Sequence, residues 1–205
     1  DTFLHYDSSF RILKNEYPVR DYWIVSGFVL DFIQSIFFKI FGVNWFAYLF
    51  HSSIFNFLVS LIIYYYFINL NIEKKFSLFF TCCFSTLAYT VSGTPFVDHH
   101  AAFFLLIATI FIINSIKTEK NYIWFFVLLF YFLSFFTKQV PAAYLAIIHG
   151  VIILLYILNF KRFTVLKNII LSFISLMIIF FSFLKVLNIN LKSFYIQYID
   201  YPQSI

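Results

Sequence analysis

Gly93-Thr94-Pro95-Phe96-Val97-Asp98-His99-His100-Ala101-Ala102 is a short polar hinge between two apolar runs, Phe76 to Ser92 and His99 to Asn114. Gly93 and Pro95 interrupt helix, so the apolar pattern on either side reads as two helices joined by a turn. Asp98 and the imidazoles of His99 and His100 stand where a membrane protein ordinarily keeps only turn residues. Ionisable groups at a membrane edge are costly to retain, which makes this hinge the first candidate for a functional site.

The composition decides the solvent. Of the 205 residues 62% are apolar and only 11% charged, and the mean hydropathy is +0.90. No compact water-soluble domain hides that much apolar surface, so the chain belongs in a bilayer. Phe supplies 33 residues and Tyr 15, against four Gly and four Pro. So few turn formers favour long helices over a barrel, and the expected fold is an all-α, polytopic transmembrane bundle. The net charge of +5 fits Lys and Arg held in cytoplasmic loops rather than a nucleic-acid surface. Cys82 and Cys83, adjacent inside an apolar run, read as small packing residues and not as a disulfide or metal pair.

Residues 1 to 22 are the most polar part, with Asp1, His5, Asp7, Arg11, Lys14, Glu16, Arg20 and Asp21 among aromatic residues, and are expected outside the hydrocarbon. The chain opens at Asp1 within this polar segment, so a piece of a longer protein is expected, with a helix upstream. From Ser26 to Phe41 apolar residues dominate, but Gly27, Asp31, Gln34 and Ser35 recur at spacings of three and four. That is one polar stripe on a helix lying flat at the interface, broken at Gly42-Val43-Asn44. Six apolar runs follow: Asn44 to Leu70, Phe76 to Ser92, His99 to Asn114, Tyr122 to Thr137, Ala142 to Leu158 and Asn168 to Leu187. Several fall short of the ~20 residues of a perpendicular span. One domain is expected throughout, made of an outer loop (1–43), a six-span bundle (44–187) and an outer tail (188–205).

Basic residues set the expected topology. Alternate connections carry Lys74, Lys75, Lys117, Lys120, Lys161, Arg162 and Lys167, whereas the hinges between them carry only Lys138. The first group is therefore expected in the cytoplasm. The opening loop, the Asp98 hinge, Thr137 to Pro141 and the tail from Asn188 then share the outer face. Within the spans, Ser52, Asn56 and Ser60, and likewise Ser77, Thr81 and Ser85, recur every four residues and read as helix-packing seams. Tyr195, Tyr198 and Tyr201 suit an interfacial aromatic belt.

Each chemical candidate has an ordinary structural alternative. Asp98 suits an N-cap. His99 and His100 point to different sides of a helix start, so a divalent metal would use only one of them, with Asp98 and a distant carboxylate. Lys138 can simply snorkel, or it can neutralise a lipid-linked phosphate together with Arg11 or Arg20. Asp7 and Glu16 read as solvated loop carboxylates.

The order of these pieces resembles the N-terminal half of the GT-C glycosyltransferases, membrane enzymes that include protein O-mannosyltransferases and aminoarabinose transferases. The resemblance runs through Asp1-Thr2-Phe3-Leu4-His5-Tyr6, Tyr17-Pro18-Val19-Arg20-Asp21-Tyr22, the interfacial run Asp31 to Gly42, Pro95-Phe96-Val97-Asp98-His99-His100 and Thr137-Lys138-Gln139-Val140-Pro141. It implies transfer of a sugar from a polyprenyl-phosphate donor to a lipid, glycan or protein acceptor, with inversion, at the non-cytoplasmic face of a bacterial inner membrane. Asp1 matches the position of the general base, and Asp98 matches the second acidic residue, which binds acceptor or metal. Asp21, Lys138, Gln139, Arg11, Arg20 and His99 are the substrate-binding candidates. No cofactor is implied with certainty; a divalent metal on Asp98 with His99 or His100 is the one candidate. The chain departs from the family in lacking its first helix, its later helices and a C-terminal soluble domain. A transporter or lipid flippase would explain the spans equally, but predicts charged or broken segments near the midplane. A scaffold subunit would need none of these roles.

Overall fold

The computed structural model describes residues 2–24, 26–88 and 93–203. Among these the chain is all helical, apart from one isolated bridge between Pro18 and Tyr22. It divides into two compact units, one of residues 1–14 and 30–100 and the other of 15–29 and 101–205.

The first unit contains α1 (Thr2–Leu13), α2 (Val29–Phe41), α3 (Trp45–Asn69), α4 (Lys74–Leu87) and the opening turn of α5 (Val97–Thr118). Helix α1 was not foreseen; residues 1–22 read only as a polar segment. Helix α2 stops at Gly42, whose φ of 82° is the left-handed conformation that glycine enters without a Cβ clash. Asn44 then caps α3, its Oδ1 accepting from the Ala47 amide at 2.8 Å. Helices α3 and α4 pack along the expected polar seam. Ser52, Ser60, Ser77 and Thr81 are buried, and Asn56 Nδ2 donates to the Ser85 carbonyl at 2.9 Å. Cys82 and Cys83 are both exposed and unpaired, so they fill no packing role; they lie on α4 beside exposed Phe79 and Phe80.

The second unit contains the rest of α5, α6 (Ile123–Phe135), α7 (Gln139–Phe160), α8 (Phe163–Val186), the short α9 (Leu191–Tyr195) and a π-helical turn, Ile196–Asp200. Its core joins Ile112, Trp124, Val127, Ile157 and Val165. Helix α8 buries Val165, Ser172, Leu176, Phe180 and Leu184, one face at helical spacing. Its opposite side, and much of α7, presents Ile and Leu outward, as a lipid-facing surface does. Arg162 pairs with Glu119, which fastens two of the basic connections together. Of the three tail tyrosines, Tyr195 and Tyr201 are exposed while Tyr198 is buried. The π-turn brings the Tyr198 hydroxyl to the Phe135 carbonyl, so these rings do not form one continuous belt.

Among the described residues four helices, α3, α5, α7 and α8, are long and apolar enough to cross a membrane, and the chain is a membrane protein. Six spans were expected. Helix α6 is apolar but has 13 residues, about 20 Å at 1.5 Å per residue. Helix α4 has 14 residues, and residues 89–92 lie outside the described part.

Candidate functional site

The first unit holds a buried polar cluster assembled from four helices. On α1, His5, Ser9 and Ile12 share the inward face. On α2, the stripe read as the water-facing side of an interfacial helix is the buried side instead. Asp31, Gln34 and Ser35 are 5%, 0% and 6% exposed, whereas Ile36 and Ile40 are 56% and 66% exposed. This helix is amphipathic in the inverted sense: its apolar face is outermost and its polar face is internal.

The inward groups are bonded to one another, as buried polar groups must be. His5 Nδ1 donates to Asp31 Oδ1 at 2.8 Å. Burial pushes the Asp31 carboxyl above the usual carboxylate value, and the His5 hydrogen bond pulls it back. One turn along α2, the Gln34 amide meets His51 Nδ1 of α3 at 2.8 Å. His51 Nε2 faces His100 Nε2 at 3.3 Å, and His100 Nδ1 lies 3.1 Å from the Phe96 carbonyl. Phe37 stacks on His51 and Phe55 on His100, with ring centroids 4.9 and 4.1 Å apart.

A carbonyl only accepts, so His100 Nδ1 carries a proton and its Nε2 accepts from His51 Nε2–H. If the Gln34 amide presents oxygen to His51 Nδ1, His51 must hold two protons and a positive charge. If it presents its NH2, every member is neutral and the chain runs one way, from Gln34 through both rings to Phe96, at the cost of the 3.5 Å hydrogen bond that Gln34 Nε2 otherwise donates to Ala47 O. Full burial between aromatic faces favours the neutral chain.

Asp98 sits in the first turn of α5, half-buried. The helix begins at Val97, and His100 N donates to Phe96 O at 3.0 Å. Phe96, not Asp98, therefore occupies the cap position, and Asp98 instead complements the positive end of the helix dipole. His99 is half-buried while His100 is wholly buried, so adjacent imidazoles do face different sides. Among the described residues no three His, Cys, Asp or Glu side chains gather to hold a metal. Asp1 lies outside the described residues. Arg11, in the last turn of α1, donates to Asp7 at 2.8 Å on the surface.

The remaining predicted residues belong to the second unit. Arg20 Nε donates to Asp21 Oδ2 at 2.8 Å, its Nη1 to Leu187 O at 3.0 Å and its Nη2 to Asn15 O at 2.6 Å. That hydrogen bond and the Tyr17 amide hold the Asp21 carboxyl below its usual value. Arg20 and Asp21 therefore brace a loop, which accounts for both charges without a substrate. The extended backbone of Lys138 precedes α7, and its amide donates to Ser134 O at 2.8 Å. Gln139 Nε2 donates to Tyr198 O at 3.1 Å, and Gln197 Nε2 to Val19 O at 3.2 Å. Loop 15–29, the Lys138 hinge and the tail thus meet at one end of this unit.

The sequence pointed to the Asp31 and Gln34 stripe but not to its partners: His5 is one polar residue among many in the opening segment, and His51 stands beside the Ser52 seam of α3. It also missed Tyr131 and His149, bonded to each other in the middle of α6 and α7. The chain matches no family model, curated protein or solved structure.

Proposed function

We propose that this chain carries the N-terminal part of a GT-C-type glycosyltransferase, which moves a sugar from a polyprenyl phosphate to an acceptor at the outer membrane face with inversion. The observation that supports this most is the link from His5 to Asp31 and from Gln34 through His51 to His100. It ties the helix beginning just after Asp1 to the turn bearing Asp98, although 97 positions separate the two acids in sequence.

The proposed chemistry needs few groups. The acceptor hydroxyl gives its proton to a carboxylate, Asp1 in this reading, as its oxygen bonds to the anomeric carbon. The bond to phosphate breaks on the opposite face, and the leaving phosphate keeps the electron pair. It needs a cation rather than an acid. Asp98 orients the acceptor. The inverted polarity of α2 suits a wall that faces lipid on one side and the polar site on the other.

A transporter or flippase is the second reading, favoured by the ionisable His149 at the middle of α7. Sugar transfer from a synthetic polyprenyl-phosphate sugar, assayed with the complete protein in vesicles, separates the two. Asp1→Asn and Asp98→Asn should each abolish transfer while the protein still accumulates and folds. Full activity in both variants rejects the site, and substrate movement across the vesicle wall without transfer supports the second reading.

A further inference from the structure

In the first unit, His51 on α3 and His100 at the start of α5 are 1% and 0% exposed, and their Nε2 atoms face each other at 3.3 Å. Each ring is held from behind at Nδ1, His100 by the Phe96 carbonyl and His51 by the Gln34 amide. An acceptor oxygen behind the ring is what fixes the tautomer and direction of a metal-ligating histidine. The Gln34 amide has two settings. With its NH2 toward His51, a proton on His51 Nε2 joins the two rings. With Oε1 toward His51, Gln34 accepts from Nδ1–H at 2.8 Å while its own Nε2 donates to Ala47 O at 3.5 Å. Both Nε2 lone pairs then point into the gap between the rings.

We infer that the second setting binds one Cu(I) ion between His51 Nε2 and His100 Nε2. Donor count decides the metal. Zn(II), Ca(II) and Mg(II) need four or more ligands, and among the described residues no third His, Cys, Asp or Glu side chain joins the pair. A monovalent d10 ion is satisfied by two imidazoles in line, imidazole suits copper, and one charge costs far less to bury than two. Two metal–imidazole bonds of about 2 Å span roughly 4 Å, so the rings part by less than about 1 Å, a movement of side chains and not of helices. Phe37 and Phe55, stacked on the two rings at 4.9 and 4.1 Å, shield the ion from water. Asp31, one turn before Gln34 on α2, supplies a balancing negative charge. The proton count closes without exchange with solvent: His51 moves its proton from Nε2 to Nδ1, and both rings stay neutral. A thiol site would release a proton instead. The site is independent of the transferase proposal, because neither Asp1 nor Asp98 is a ligand.

The experiment uses the complete protein in micelles with Cys82 and Cys83 both changed to Ser, since exposed thiols bind Cu(I) on their own account. Cu(I), kept reduced and free of oxygen, is titrated in competition with a chromogenic chelator. One ion should bind per chain, with an affinity that does not change between about pH 7 and pH 8. X-ray absorption should show two nitrogen ligands at about 2 Å, and saturation should raise the melting temperature by about 3 °C or more. Zn(II) should bind at least about tenfold more weakly. His100→Leu, and Gln34→Leu combined with His51→Phe, which replaces ligand and anchor together by apolar groups, should each weaken Cu(I) binding about a hundredfold. His149→Phe on α7 should leave it unchanged, and melting curves without metal identify any variant that fails to fold. No binding by the parent protein, binding that survives in a folded variant lacking either ligand, a third ligand in the absorption spectrum, or Zn(II) held as tightly overturns the inference.

Discussion

Gly27→Ala should destabilise the second unit by roughly 2 to 5 kcal/mol, the sum of two backbone hydrogen bonds and part of one aromatic burial. Gly27 lies on the end of α6: its amide donates to Thr137 O at 2.9 Å, and the Val29 amide donates to Phe136 O at 3.2 Å. A Cβ at this position would stand 1.9 Å from the Phe136 carbonyl oxygen, 2.3 Å from its carbon and 2.6 Å from the Thr137 carbonyl carbon. None of these atoms can withdraw, because the Phe136 and Thr137 amides are bonded back into α6 through Phe132 O and Leu133 O. The loop must lift instead. Lifting gives up both hydrogen bonds and loosens Phe28, which stacks on Phe136 and Phe183 at centroid distances of 5.4 and 5.7 Å. The backbone φ of Gly27 is not in the left-handed region, so the effect is one of space alone. Equilibrium unfolding in mixed micelles measures it. Gly150→Ala is the matched control: with no neighbour to meet, it should gain about 0.5 to 1 kcal/mol from helix propensity. A Gly27→Ala protein within 0.5 kcal/mol of wild type would refute the close docking of this loop on α6.

Three further outcomes are expected. Burial raises the Asp31 carboxyl above its ordinary value of 3.8, so the folded state holds that proton more tightly than the unfolded chain does. The resulting stability is complete below that value and is lost as pH rises through the folded one. Asp31→Asn should flatten melting temperature against pH over this window, and parallel curves for the two proteins would count against it. Asn44→Ala removes the cap of α3 and should cost about 1 kcal/mol, read from the same unfolding curves; no change would mean that the Ala47 amide finds another acceptor. Cys82 and Cys83 are exposed on α4, so a lipid-soluble maleimide should modify both in vesicles, with two adducts seen by intact-protein mass spectrometry; an unmodified thiol would place that face in a protein contact.

Four of the six expected spans were legible because a bilayer imposes length and apolarity together, and Gly42, Asn44 and the Lys138 hinge punctuate the chain where their chemistry requires. The packing seam of α3 and α4 was equally open to reading, since serine and asparagine at four-residue spacing have few other uses inside lipid. Helix α1 was not legible. Its polar and aromatic residues resemble those of a loop, and what holds it is a contact from His5 to Asp31, 26 positions away. The roles proposed from spacing fared unevenly for the same reason. Arg20 looked like a spare cation by sequence, yet its three hydrogen-bond partners include Leu187 O, 167 positions along the chain. No local pattern announces a partner of that kind.

Helix α2 shows why pattern and orientation are separate questions in a membrane. A polar stripe on an apolar helix fixes which residues share a face, and Asp31, Gln34 and Ser35 do. In water the stripe would have to be the outer face, because apolar groups are expelled from solvent. Where lipid surrounds the protein that rule inverts, and polar groups are driven inward unless they reach the aqueous edge. Asp31 and Gln34 turn inward, and each needs a partner there. That need explains why His5, His51 and His100 are recruited from three different helices. A buried cluster with this origin persists only while all of its members are present, since removing one leaves the others desolvated and unpaired. Position 34 therefore tolerates a change only if its partner His51 changes with it. Gln34→Leu should be more damaging alone than combined with His51→Phe, a non-additivity that a double-mutant cycle of unfolding free energies measures directly. Strict additivity would mean that the two side chains do not depend on each other, and the cluster would then be a set of neighbours without being a network.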